Sequence, residues 1–233
     1  MTDSAAGSWL RTRTNDVMWC VTFTYGIGPE DVLARYGADP RDARLLAERD
    51  AGPLYGSHHP DGSVLRAGAL GGWSFCFEDC GIMGVLPGPL TALSWRTETL
   101  ALHRSAKGMS RFAHWRDGFP SEGFEPGFPG TRGEPPHPWW DAVQARRDAT
   151  GEEFPGLVPV LEAIADHTGA VLDADTLAGP LLTLRLADTL CTPDPVPYPL
   201  PRPRSSRRPL GRYLGPVVAC RPADPRVARN SPG

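Results

Sequence analysis

The chain has 233 residues, 40% of them hydrophobic, and a formal net charge of −3. That length suffices for one good core and is short for two, so a single domain with appendages is the economical organisation. No apolar run reaches the roughly 18 residues of a membrane span, and Met1 to Gly7 lacks the basic start and apolar stretch of a signal peptide, so a cytoplasmic location is expected.

Charge is unevenly distributed. From Cys191 onward eight Arg stand against Asp194 and Asp224, a balance of +6, which leaves −9 on the preceding residues. The five cysteines, Cys20, Cys76, Cys80, Cys191 and Cys220, are odd in number and scattered, which suits reduced thiols better than a disulfide framework. Gly and Pro, at 26 each, exceed average usage and announce many turns.

Trp9 and Leu10 are the first apolar anchors. WCVTFTY reads as a strand with Cys20, Thr22 and Thr24 on one face and Val21, Phe23 and Tyr25 on the other. Pro29 then suits the first position of a helix, Glu30 and Asp31 complement its positive end, and Val32, Leu33 and Tyr36 would face a sheet. A second short helix is expected within residues 39–51, and residues 52–62 read as loop.

LRAGALGGWSFCFEDCG, from Leu65 to Gly81, predicts a hairpin with Gly71-Gly72 at its turn. The pairing then follows: Leu70 faces Trp73, Gly68 faces Phe75 and Arg66 faces Phe77. The aromatic face is expected to be core, while Ala67, Ala69, Ser74, Cys76, Glu78 and Cys80 share the other face. Pro87 and Pro89 introduce a short helix, and a meander over residues 97–124 follows, with a four-residue connection at Ser105 to Gly108 and a type I′ turn at Asp117-Gly118. Helices are expected at Trp139 to Arg147, at Leu157 to Thr168, after an Asp173 cap, and again through LLTLRLADTL to residue 190. The Pro- and Arg-rich text of residues 191–233 predicts a disordered tail, with Pro209 to Cys220 an apolar island inside it.

The fold class expected is therefore α+β: an antiparallel sheet of about six strands over residues 9–190, with helices packed on one face. For chemistry, Cys76-x-Glu78-x-Cys80 aims alternate donors one way, but a structural zinc site wants four ligands and no second Cys pair exists, so no metal or cofactor is expected. The His58-His59 pair reads as solvated loop. No phosphate loop or dinucleotide fingerprint is present.

A four-residue connection would place His103, Ser110 and His114 on one hairpin face, a nucleophile-and-base pattern that a small hydrolase would use. No sharp nucleophile turn accompanies Ser110, and a polar outer face is the preferred reading. Arg111 is expected across from Phe124 and thus near Glu125. Phe128, Trp139 and Trp140 are expected as exposed aromatics that offer a contact surface. Glu78, Arg111, Glu125, Trp139 and Trp140 are the candidate binding residues.

The motifs WCVTFTYGIGPEDVLARYG, RAGALGGWSFCFEDCG, SRF, FEPGFP and LAGPLLT together resemble a family of actinobacterial proteins classed as a domain of unknown function. The resemblance spans roughly residues 9 to 190 and implies an α+β cytoplasmic domain with no established reaction. The functional expectation is a non-enzymatic protein-binding or regulatory domain, of the kind that serves as an immunity or conflict-system accessory. Its partner is expected to be another protein, with no membrane contact, and with nucleic acid bound only nonspecifically through the Arg-rich tail.

Overall fold

A computed structural model of the protein describes residues 9–10, 18–55, 62–152 and 156–187. Eight antiparallel strands form one sheet: β1 (Trp19–Tyr25), β2 (Arg44–Leu46), β3 (Gly62–Leu70), β4 (Trp73–Asp79), β5 (Glu98–Arg104), β6 (Ser110–Arg116), β7 (Phe119–Phe124) and β8 (Leu181–Ala187), in the order β2-β8-β3-β4-β1-β5-β6-β7. Six α-helices accompany them among the described residues: α1 (Pro29–Arg35), α2 (Glu48–Tyr55), α3 (Pro87–Leu93), α4 (Pro138–Thr150), α5 (Val158–Thr168) and α6 (Ala174–Ala178). None is long and apolar enough to cross a membrane.

The β3–β4 hairpin forms in the expected register, Leu70 opposite Trp73, Gly68 opposite Phe75 and Arg66 opposite Phe77. Gly71 supplies the positive φ, +62°, that the turn requires. Alternation along β4 then separates two cores. Trp73, Phe75 and Phe77 join Trp9, Trp19, Val21, Phe23, Leu100, Leu102, Phe112 and Phe124 on one face, under α4 and α5. Cys76, Leu65 and Ala67 join Val32, Leu33, Tyr36, Met83 and Leu93 on the other, under α1 and α3.

Helices therefore cover both faces, where one was expected. The small residues Ala67 and Cys76 give α1 the close approach that larger ones would deny it. The strand count rises from about six to eight for two reasons. Residues 39–51 hold a 3₁₀ turn, the short strand β2 and the start of α2 instead of one helix. LLTLRLA, expected to be helix, is the strand β8, inserted between β2 and β3.

Several local signals behave as the residue chemistry dictates. Pro29 and Pro87 open α1 and α3, Gly169 ends α5 at φ +68°, and the Asp173 side chain accepts the Thr176 N–H at 2.8 Å to cap α6. The first residues of α4 are capped from the sheet: Glu122 on β7 accepts the N–H groups of Trp139 and Trp140 at 2.9 and 2.8 Å. Trp139 and Trp140 consequently turn inward and are each only 7% exposed, so they are core residues and not the contact surface expected of them. The expected tail, its apolar island and His58-His59 lie outside the described residues.

β8 supplies an interior strand, and its removal would strip β3 of one of its two partners and take Leu181 and Leu184 out of the two cores. A chain ended after Glu152, which lacks α5, α6 and β8, is expected to lose the cooperative thermal transition seen by circular dichroism. A sharp melt retained by that shorter chain would contradict this account of the core.

Candidate functional site

The β5–β6 hairpin decides the fate of the Ser/His pattern. Its connection spans five residues, with Gly108 at φ +80°, so Arg104 pairs with Ser110 and His103 with Arg111. This one-residue difference from the expected register turns His103 to the opposite sheet face from Ser110 and His114. Ser110 and His114, four residues apart along one strand, are themselves separated by roughly 13 Å at ordinary strand rise. The juxtaposition that acyl chemistry would need is not formed.

His114 is instead engaged with Glu98. Glu98 Oε2 meets His114 Nε2 at 3.2 Å and accepts from Arg116 at 2.7 Å, while Oε1 meets His167 Nε2 at 3.2 Å. Burial opposes the charge on Glu98, yet these hydrogen bonds hold its carboxyl below the usual range. Burial also pushes the His114 imidazole down. His167 lies with its ring centroid 4.9 Å from Trp139 and 5.6 Å from Trp73, so the cluster fastens the end of α5 to β5.

A bulge between His114 and Trp115 changes the β6–β7 register, and Phe112, not Arg111, sits across from Phe124. Arg111 and Glu125 are accordingly not brought together: among the described residues no ion pair joins them, and Arg111 is exposed. Phe128 is 59% exposed, as expected.

Glu78 is fully buried, directly across β1 from Cys20. Its Oε1 accepts from Tyr36 at 3.2 Å and from the Gly84 N–H at 2.6 Å, and Oε2 accepts the Met83 N–H at 2.8 Å. The Tyr36 hydroxyl in turn lies 3.0 Å from Thr22 Oγ1. A Cβ at Gly84 would lie 2.6 Å from the Tyr36 hydroxyl and 2.7 Å from Glu78 Oε1, so only glycine lets the backbone reach the carboxylate.

Burial raises Glu78 from 4.5 to about 7 against the pull of these donors. Burial, and then the Glu78 charge, pushes both Cys20 and Cys76 well up, so they are protonated, packed thiols. Cys80 is exposed at φ +55° and does not extend the set. Among the described residues no group of three or more His, Cys, Asp or Glu side chains is placed to hold a metal ion.

A surface depression is formed among the described residues. On the face that carries α1, a groove of about 670 Å³ opens beside β3. Ala67, Gly68, Ala69, Leu181 and Leu182 line its floor, Pro29 and Leu45 its sides, and Glu30 and Asp175 contribute carboxylates. Leu45, on the edge strand β2, is 66% exposed. Two residues shape the corner. Gly68 has no room for a side chain, since a Cβ would meet Leu181 at 2.7 Å and Phe75 at 2.9 Å. Buried Arg66 donates to the carbonyls of Leu177 at 2.6 Å and Gly179 at 3.0 Å, which fixes the approach to Pro180.

The sequence signalled this groove only through its small residues, because its walls come from segments far apart in the chain. Glu30, Leu45, Asp175 and Pro180 carry no motif.

Glu78 generates a prediction about pH. Its folded value lies above the ordinary 4.5, so the native state binds the proton more tightly than the unfolded chain does. Its contribution to stability is therefore full below about pH 4.5, is lost as pH rises toward 7, and changes no further above that; a shift of this size is worth roughly 3 kcal/mol. In urea titrations, wild type is expected to lose on that order of stability relative to Glu78→Gln between pH 4.5 and pH 7.5. Parallel pH curves for the two proteins would show that Glu78 does not titrate there.

Neither curated proteins nor solved structures gave a match to this chain. Residues 4–153 match the family of unknown function DUF6461. The matched region covers β1 to β7 and α1 to α4, most of the sheet and the β3 part of the groove floor, and the chain belongs to that family.

Proposed function

We propose that the protein is a non-enzymatic binding domain whose partner is another protein, and that the groove beside β3 is where the partner sits. The carrying observation is the groove itself: a solvent-open depression of about 670 Å³ with an apolar floor and an exposed Leu45 at its rim. Its volume falls within the range of sites that hold ligands, and its lining combines apolar surface with a few polar groups, as binding sites do. An exposed leucine beside such a floor adds apolar surface that a partner would gain by burying. The acid–base residues, by contrast, are committed within the fold: Glu98 to two imidazoles and a guanidinium, Glu78 to a backbone turn.

Filling the groove tests this. Ala69 is exposed on its floor, so Ala69→Tyr is expected to leave stability within about 0.5 kcal/mol. Phe119→Ser, on the distant edge strand β7, serves as the comparison. The wild-type protein and Phe119→Ser are expected to retain one stoichiometric partner from an extract of the encoding organism, and Ala69→Tyr to lose it at least tenfold. A partner kept by Ala69→Tyr, or lost by Phe119→Ser alone, would place recognition elsewhere and overturn the assignment.

A further inference from the structure

Resting on that reading of the groove, we infer that its occupant is an extended, basic segment of the partner, which adds as a short strand to the exposed edge of β3 at Ala69.

The phase of the hairpin carries the first step. A two-residue turn makes Leu70 and Trp73 a hydrogen-bonded pair, so Leu70 and Gly68 direct their N–H and C=O groups at β4. Ala69 and Ala67 must then direct theirs the other way, toward β8. Ala67 is satisfied there, since it pairs with Leu182. The residue that would serve Ala69 in the same register is Pro180, which has no N–H to give, and the β3–β8 ladder ends at Ala67.

No hydrogen bond reaches the Ala69 backbone from any other described residue, and Ala69 is exposed. Among the described residues, an N–H and a C=O without a backbone partner thus open onto the groove, side by side, as on a sheet edge that accepts a strand. Contacts on both sides of this gap hold the corner in place. Arg66 holds the Leu177 and Gly179 carbonyls, and the Leu181 and Phe75 side chains pack over Gly68 where any Cβ would clash.

Charge supplies the second step. The titratable side chains that line the groove are Glu30 and Asp175, both acidic and both exposed. A bound strand places alternate side chains on the α1 face, where the apolar floor of Ala67 and Leu182 continues to exposed Leu45. The complementary segment therefore carries apolar and basic residues at alternate positions, two apart on one face: the backbone pairs with Ala69, an apolar side chain covers the floor, and a basic one meets the carboxylates. Enclosure, the usual mark of a small-molecule pocket, is missing here, since the groove is open to solvent.

The test uses the full-length, isotope-labelled protein with two synthetic probes, acetyl-Val-Ser-Arg-Ser-Val-amide and acetyl-Val-Ser-Glu-Ser-Val-amide, followed by amide NMR. The basic peptide is expected to shift Ala69, Leu45 and Leu182 saturably and to slow exchange of the Ala69 amide at least tenfold. The double variant Glu30→Gln/Asp175→Asn, at two exposed positions, is expected to weaken binding by about threefold or more, and added salt to weaken wild-type binding likewise.

Equal binding of the acidic peptide overturns the proposal, as do shifts that map away from Ala69 or no shift with either peptide. Concentration-dependent shifts at Ala69 in the protein alone would assign the edge to a second copy and overturn it too. If these outcomes occur while Ala69→Tyr still abolishes partner retention, the groove remains the binding site and only the basic, strand-adding occupant is wrong.

Discussion

Phe75 and Cys76 are neighbours in β4 and neither is reached by solvent, because helices seal both faces of the sheet. This two-sided burial is the constraint on which the other features depend. A strand sealed on one face only can send every second side chain to water; β4 cannot, so each residue needs an interior solution. The aromatic side is solved by size, with Trp19, Phe77 and Trp9 packed ring against ring at centroid distances of 4.9 to 6.4 Å. The other side is solved by small residues and by one carboxyl. Glu78 is tolerated there because the 3₁₀ turn at Met83–Val85 presents two N–H groups to it, and because Gly84 removes the side chain that would block them.

The parts of this arrangement that were legible in the sequence are those set by local chemistry. Gly71-Gly72 dictated the β3–β4 register, and with it the opposition of Gly68 to Phe75 on which the groove's corner rests. Pro29, Pro87, Gly169 and Asp173 marked helix ends for reasons internal to a few residues. What escaped was set by contacts between distant segments. LLTLRLA alternates Leu182, Leu184 and Leu186 with Thr183 and Arg185, the period of a strand, but a leading Gly-Pro and its leucine content favour helix equally well. Only the open edge of β3 decides between them.

The errors in register have the same origin and larger consequences. One extra residue in the β5–β6 connection separates His103 from Ser110, and one bulged residue in β7 separates Arg111 from Phe124. Because side chains alternate with a period of two, each single-residue slip inverts a whole face. A triad read from spacing is thus the inference most exposed to loop length. Contacts that no spacing suggested, such as Glu98 with His114 and His167, depend on helix α5 returning to the sheet 69 residues later. Trp139 and Trp140 follow the same rule. Their proline-rich context suggested surface, but Glu122 captures the helix start and rotates both rings inward.

The groove also joins the two parts of the chain that the family match separates. One wall and the β3 part of its floor, Pro29, Glu30, Leu45 and Ala67 to Ala69, belong to the matched residues 4–153; Asp175, Thr176 and Gly179 to Leu182, which complete the lining, lie beyond them. The same split runs through the sheet, since β8 completes from outside what β3 leaves open. Pro180 stands at the junction. Proline there lacks the N–H that an ordinary strand residue would offer to the Ala69 carbonyl, and the ladder stops one pair earlier. The point at which the β3–β8 ladder ends, and the proline that stands there, therefore set how far β3 continues without β8 beside it.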